Sequence, residues 1–122
     1  NVLLTIQCDG AEPPQVDRVP LGIIFGANLR HWLHEAQGYL LGLSRRRIRM
    51  EGDPADAPAQ WVGYLYYPVP YWRSVSITVQ SAGLGDPRTT VLHRVVTTPN
   101  TYAPARTGHF HAAFVRQTPS PL

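Results

Sequence analysis

The chain contains no lysine, and all eleven of its basic residues are arginine. Each positive charge is therefore a planar fork that can grip a phosphate with two hydrogen bonds and stack on a flat ring. A skewed codon bias would also produce such a chain. There is one cysteine, Cys8, which excludes an internal disulfide and a cysteine zinc cluster and points weakly to a reducing compartment. No apolar run approaches the roughly 20 residues that a membrane-spanning helix needs, so membrane insertion is not expected. Acid is scarce after residue 56, where Asp86 stands alone against five arginines. Residues 1–56 hold seven acids against six arginines, so the net charge of +3 is unevenly spread.

Familiar catalytic patterns are missing as well. There is no Gly-x-Ser-x-Gly elbow and no glycine loop able to cradle phosphate. Cys8 is followed by Asp9, whose charge raises rather than lowers a thiol pKa. A zinc-protease helix needs histidines at i and i+4 with glutamate directly after the first. Here His31 and His34 are three apart and Glu35 follows the second. His109 and His111 would share one face of a strand, but no third ligand lies near them, and a rim pair is the plainer reading. Asp53 and Asp56 fall in a turn-rich stretch where water would keep both near ordinary acidity. The expectation is a non-enzymatic protein without metal or cofactor.

What is present suits a small globular β-domain. At 122 residues with 43% hydrophobic content the chain can form one core, and it is expected to be a single domain over residues 1–122. Its start at Asn1 and its Thr-Pro-Ser-Pro-Leu ending give the expectation of a piece excised from a longer protein. Twelve prolines and ten glycines argue against long helices. The pattern predicts strands over residues 1–7, 39–50, 60–67, 73–80, 89–97 and 109–117, with residues 8–22 irregular. Leu29, Trp32, Leu33 and Ala36 share a helical face, so a helix of at most two turns is predicted from an Asn28 cap to Gly38. The fold class expected is mainly β: a small antiparallel sheet of about five short strands, a protruding basic hairpin, long loops and at most one short helix.

That hairpin is the most informative stretch. Arg45, Arg46, Arg47 and Arg49 lead into a turn-rich tip at 51–58, and the chain returns through Trp61, Tyr64, Tyr66 and Tyr67. Cations for phosphates and rings for bases are what a single-stranded nucleic acid requires. The alternative is an edge-protecting charged arm beside a core strand, although four arginines in five positions repel one another unless a polyanion relieves them. Tyr64 and Tyr66 fall on one strand face and Tyr67 on the other. A second alternative is a viral structural β-domain that binds protein through Tyr64, Tyr66, Tyr71 and Trp72. A third is a small enzyme using His109, His111 and an acid.

The chain resembles the N-terminal RNA-binding domain of coronavirus nucleocapsid proteins, as a divergent nidovirus relative. The resemblance rests on Gly38-Tyr39, the arginine arm, the tip at 52–58 and Tyr64-Leu65-Tyr66-Tyr67, in that order. Leu4-Thr5, Val19-Pro20, Thr98-Pro99 followed by Arg106-Thr107, and the ending His111-Ala-Ala-Phe-Val-Arg-Gln-Thr-Pro119 extend it over nearly the whole chain. The sequence departs from the family at Leu41 and Gly42, where arginines are usual. It departs again at Val62 and Gly63, which separate Trp61 from the tyrosines. The resemblance implies a hand-shaped domain with a sheet as palm and the hairpin as finger. It implies a role in packaging viral genomic RNA, in the virion and the host cytoplasm, with the full-length protein self-associating through another domain. By the same resemblance Arg45, Arg46 and Arg49 would meet phosphates, with Arg47 in the same cluster, Tyr64 and Tyr66 would stack bases, and Arg106 would close the groove.

Overall fold

The structure, a computed structural model, describes residues 2–26, 35–46, 60–81 and 91–115. In chain order its elements are β1 (Val2–Cys8), β2 (Val16–Pro20), α1 (Leu21–Ile24), β3 (Ala36–Gln37), β4 (Leu41–Arg46), β5 (Gln60–Leu65) and β6 (Val75–Ser81). The protein is mainly β and antiparallel, with one short helix among the described residues, as its proline and glycine content requires. The strands are shared between two three-stranded sheets, ordered β2-β1-β6 and β3-β4-β5, rather than gathered in one five-stranded palm. The chain correspondingly divides into two compact units, Asn1–Pro20 with Pro68–Leu122, and Leu21–Tyr67. No helix among the described residues is long and apolar enough to cross a membrane.

In the first unit β1 is the central strand. Its alternation puts Leu4, Ile6 and Cys8 in the core while Leu3, Thr5 and Gln7 stay half-buried. β6 pairs with it without interruption from Val2↔Ser81 to Cys8↔Val75, so Val79, Ile77 and Val75 stand opposite Leu4, Ile6 and Cys8 on the same face. On the other edge Leu4 pairs with Val19 but Ile6 pairs with Val16. Thr5 thus faces two residues, Asp17 and Arg18, which form a β-bulge. Arg18 takes a φ of 48° there, and its N–H donates to Thr5 Oγ1 at 3.2 Å. The extra residue lets Val16 and Val19, three apart in sequence, both reach the core, where both are buried. The strand at 16–20 falls in a stretch expected to be irregular, because the bulge erases the two-residue period.

Two side chains stand in for backbone around the end of β1. Buried Gln15 accepts from the Cys8 N–H through Oε1 at 2.7 Å and donates from Nε2 to the Cys8 carbonyl at 3.3 Å. The chain then reverses at Asp9 and Gly10, with φ of 57° and 71°, closed by the Ala11 N–H on the Cys8 carbonyl at 3.1 Å. An Asp-Gly pair suits a turn that needs two positive φ values. In that turn the Asp9 carboxylate receives three successive amides. Trp72 donates at 3.0 Å, Arg73 at 2.5 Å and Ser74 at 3.0 Å. His109 Nε2 lies 3.0 Å from Asp9 Oδ2, and the Asp9 N–H donates to the Ser74 carbonyl at 2.7 Å. Withdrawal from water opposes ionisation of Asp9, but the Ser74 and Arg73 amides, the His109 ring and the Trp72 amide outweigh it. Its carboxyl is held well below the usual carboxylate range. Burial, and then the Asp9 charge, push the Cys8 thiol up.

Three expected elements are corrected. Residues 91–97 belong to no strand among the described residues, and Val91, Leu92, Val95 and Val96 are all exposed. A β-prone run becomes a strand only where a paired, packed surface receives it, and these side chains are left exposed. Residues 109–115 make a single parallel bridge, Ala112 to Val16, with the Ala112 N–H on the Gln15 carbonyl at 3.1 Å. The bulge at 17–18 and the donorless Pro13 and Pro14 leave that edge nothing longer to offer. The helix expected from Asn28 to Gly38 lies largely outside the described residues, but Ala36 belongs to β3, so the helix cannot extend that far. The helix that is described falls earlier, at Leu21–Ile24.

Gln15→Ala removes the acceptor of the buried Cys8 amide and is expected to lower stability by about 1–3 kcal/mol in urea denaturation. A change under ~0.5 kcal/mol would place Gln15 among ordinary surface positions. Asp9 contributes through its charge. Folded Asp9 binds its proton more weakly than the unfolded chain does, so its contribution is complete above about pH 5 and is lost as pH falls from there toward the depressed folded value. Asp9→Asn should remove that part of the acid slope in denaturation curves taken at successive pH values.

Candidate nucleic-acid interface

The second unit carries the base of the expected hairpin. β4 and β5 pair in one unbroken register, from Leu41↔Leu65 to Arg46↔Gln60. On its other edge β4 holds the two-residue β3, through Ala36↔Leu43 and Gln37↔Gly42. Beyond that short strand the Glu35 carboxylate takes over, accepting from the Arg45 N–H at 2.7 Å.

Directly opposed residues point to the same side of a sheet, so the register sorts the hairpin into two faces. Leu41, Leu43 and Arg45 share a face with Leu65, Gly63 and Trp61. On this face Leu43 is buried, a Cβ on Gly63 would overlap the Phe25 ring, and one on Gly26 would stand 3.0 Å from Leu41 Cδ1. Arg45 and Trp61 form its exposed end. Gly42 and Ser44 share the other face with Tyr64 and Val62.

Tyr64 lies flat across Gly42, where an added Cβ would come within 2.5 Å of its ring. Its hydroxyl donates to the Gly38 carbonyl at 2.6 Å, which fixes the ring. The Tyr66 N–H donates to the Leu40 carbonyl at 2.6 Å and carries the extended chain one step past β5. Tyr66 then stands beside Tyr64 with centroids 5.2 Å apart and planes tilted by 32°. Tyr64 is half-buried, while Tyr66 is 68% exposed. The pair is a fixed aromatic step with one open member. Gly42 and Gly38, which seat Tyr64, are site residues that sequence reasoning missed. Their signal was the antiparallel register itself, which sets Gly42 directly opposite Tyr64.

The expected site residues are thus only partly brought together. Tyr64 and Tyr66 do share a face. Arg45 belongs to the opposite face, next to Trp61. The backbone of Arg46 pairs with Gln60, and its side chain lies outside the described part of the chain, as do Arg47, Arg49, the tip at 51–58, His31 and His34. Arg106 is in the other unit, in an exposed turn closed by its N–H on the Ala103 carbonyl at 2.9 Å. Tyr71 and Trp72 are also in that unit. The Trp72 Nε1–H donates to the Tyr102 carbonyl at 3.1 Å, and the indole meets His109 edge-on at 5.0 Å. His109 is committed to Asp9 and Trp72. His111 lines an open groove of about 620 Å³ with Pro13, Pro14, Asp17 and Phe114, and His109 is not part of its wall. Among the described residues no three histidine, cysteine or acidic side chains converge as metal ligands. Compared with family models, curated proteins and solved structures, the chain matches none.

Gly42→Ala drives a methyl group into the seated ring, so Tyr64 must leave or the strands must part. The expected cost is about 1–3 kcal/mol, with loss of the tyrosine-pair signal in near-ultraviolet circular dichroism. Retention of that signal at full stability would show that Gly42 does not seat Tyr64.

Proposed function

We propose that the chain is a non-enzymatic domain that binds single-stranded RNA, within a viral nucleocapsid protein that packages a genome. The observation that carries the reading is the Tyr64–Tyr66 step, 5.2 Å between centroids with Tyr66 open, on the strand paired to the one that runs into the arginine cluster. A base stacked on Tyr66 gains about 1–3 kcal/mol without regard to its identity, because every base presents a π-face. Phosphates are met by the arginines of the arm, Arg45, Arg46, Arg47 and Arg49, through charge and counterion release. Because Arg45 and the tyrosines occupy opposite faces of the hairpin, the RNA strand crosses the β5 edge between them.

The nucleocapsid setting, in the virion and the host cytoplasm, rests on the resemblance of the arm, the tip and the tyrosine run. The same source supplies self-association of the full-length protein through another domain. Binding of this kind has little sequence preference and needs no cofactor.

Titration of a fluorescently labelled single-stranded RNA at several salt concentrations tests the reading. Affinity is expected to fall steeply with salt, and Arg45→Ala with Arg46→Ala to reduce the slope by roughly 0.7 for each phosphate that is no longer neutralised. Tyr66→Ala should weaken binding by about 5- to 150-fold at every salt concentration, while leaving the slope unchanged. RNA binding indifferent to all three substitutions, or none at low salt, would overturn the assignment. Salt-insensitive binding to a protein through the same tyrosines would replace it with the interaction-module reading.

A further inference from the structure

One aromatic ring of the second unit is left almost wholly to solvent. Tyr39 is 94% exposed, whereas no other described tyrosine or tryptophan exceeds 68%. A lone exposed ring is ordinary on a protein surface, but this one is held at a defined place. Gln37↔Gly42 is the last pair between β3 and β4, and the Gly38 N–H donates to the Leu41 carbonyl at 2.9 Å. Tyr39 and Leu40 are therefore the tip of a tight turn. Glycine is required at its start, because a Cβ on Gly38 would come within 2.8 Å of the Leu41 carbonyl oxygen. Leu40 is half-buried, and Tyr39 is the outward member of the tip. The carbonyls on either side of Tyr39 are both taken by the tyrosine step. Gly38 accepts from the Tyr64 hydroxyl and Leu40 from the Tyr66 N–H, each at 2.6 Å. The backbone of Tyr39 is thus fixed beside Tyr64 and Tyr66, while among the described residues its side chain makes no hydrogen bond or ring contact.

We propose that Tyr39 is a second base-stacking platform of the RNA site, taking the base next to the one on Tyr66. The proposal rests on the RNA reading of the Tyr64–Tyr66 step and deepens it. Continuity with that step selects the occupant. The β4–β5 register sets Arg46↔Gln60 at one end of the hairpin and Leu41↔Leu65 at the other. Tyr66 lies just past Leu65 and Tyr39 just before Leu41, so both stand at the end away from the arginine arm. A strand of RNA that gives phosphates to the arm and a base to Tyr66 meets Tyr39 next on the same course. Residues 38–41 carry no charge, so what Tyr39 adds is stacking. Stacking covers ring surface that folding leaves in water, and it accepts any base. The ordering cost is small, because the turn is already closed and a tyrosine has only two side-chain torsions to fix.

Titration of a labelled single-stranded RNA against Tyr39 variants of the 122-residue chain tests the assignment. Tyr39→Ala is expected to weaken binding by about 5- to 150-fold, with the salt slope, the circular dichroism and the urea midpoint unchanged. Tyr39→Phe keeps the ring and should keep the parent affinity. Tyr39→Leu keeps apolar bulk without a ring and should bind like the alanine variant. The losses from Tyr39→Ala and Tyr66→Ala should multiply in the double variant, because each ring holds its own base. Full affinity in Tyr39→Ala, where Tyr66→Ala does weaken binding, would overturn the proposal and leave the RNA reading standing. Absence of RNA binding by the parent chain at low salt would overturn both. Parent affinity in Tyr39→Leu, or a double variant no weaker than Tyr66→Ala alone, would also overturn the second platform.

Discussion

The first unit depends on one carboxylate. Asp9 gathers the three amides of 72–74 just where the chain enters β6, and so sets the end of the β1–β6 ladder. Consecutive N–H groups turned to one side form a concavity suited to an anion, and here the anion is supplied by the protein. His109 approaches the same carboxylate, and Trp72 reaches from the concavity to His109 and the Tyr102 carbonyl. Long irregular stretches at 68–74 and 91–115 are in this way referred to a single point at the end of β1. Gln15 does the same for the other edge, filling with a side-chain amide the place where the bulged β2 no longer supplies backbone partners. With few fully buried apolar side chains among the described residues, this small sheet is positioned by polar contacts as much as by its core.

In the second unit the governing constraint is the β4–β5 register. A strand shifted by one residue turns every side chain to the other face, so the pairing of Gly42 with Tyr64 decides both where the tyrosines stand and where Arg45 cannot stand. Two glycines make the arrangement possible. Gly42 leaves space for the Tyr64 ring on one face, and Gly63 leaves space for Phe25 on the other. Arg45 and Trp61 thereby stand on one side of the hairpin and Tyr64 on the other. A polymer that is to meet both Arg45 and Tyr64 must cross a strand edge, and β5 has no partner beyond it among the described residues.

Much of the architecture was readable from local pattern. β1, β5 and β6 were found within a residue or two because each alternates cleanly or stops at proline. β4 was found because the apolar alternation of Leu41 and Leu43 runs directly into the arginines. The facing of Tyr64 and Tyr66 followed from the two-residue period alone. Where the pattern failed, a non-local partner was responsible. The run 91–97 carries four large apolar residues in two adjacent pairs, and β propensity measures fit to a paired surface rather than a backbone habit. Val91, Leu92, Val95 and Val96 are exposed, and among the described residues no strand pairs with the run. β2 was hidden for the opposite reason, since its bulge answers to Thr5 on another strand.

The sequence by itself determined that this is a mainly β protein punctuated by proline and glycine, with an arginine-rich arm beside tyrosines of fixed spacing. Those properties follow from side-chain type and a period of two, both local. Only the tertiary structure decided that the strands fall into two sheets, that His109 serves Asp9 rather than pairing with His111, and that Arg45 and Tyr64 stand back to back. Each of these depends on register, on which backbone groups remain unpaired, and on which edges are already taken. Such contacts join residues up to a hundred positions apart in the chain, and no local period encodes them.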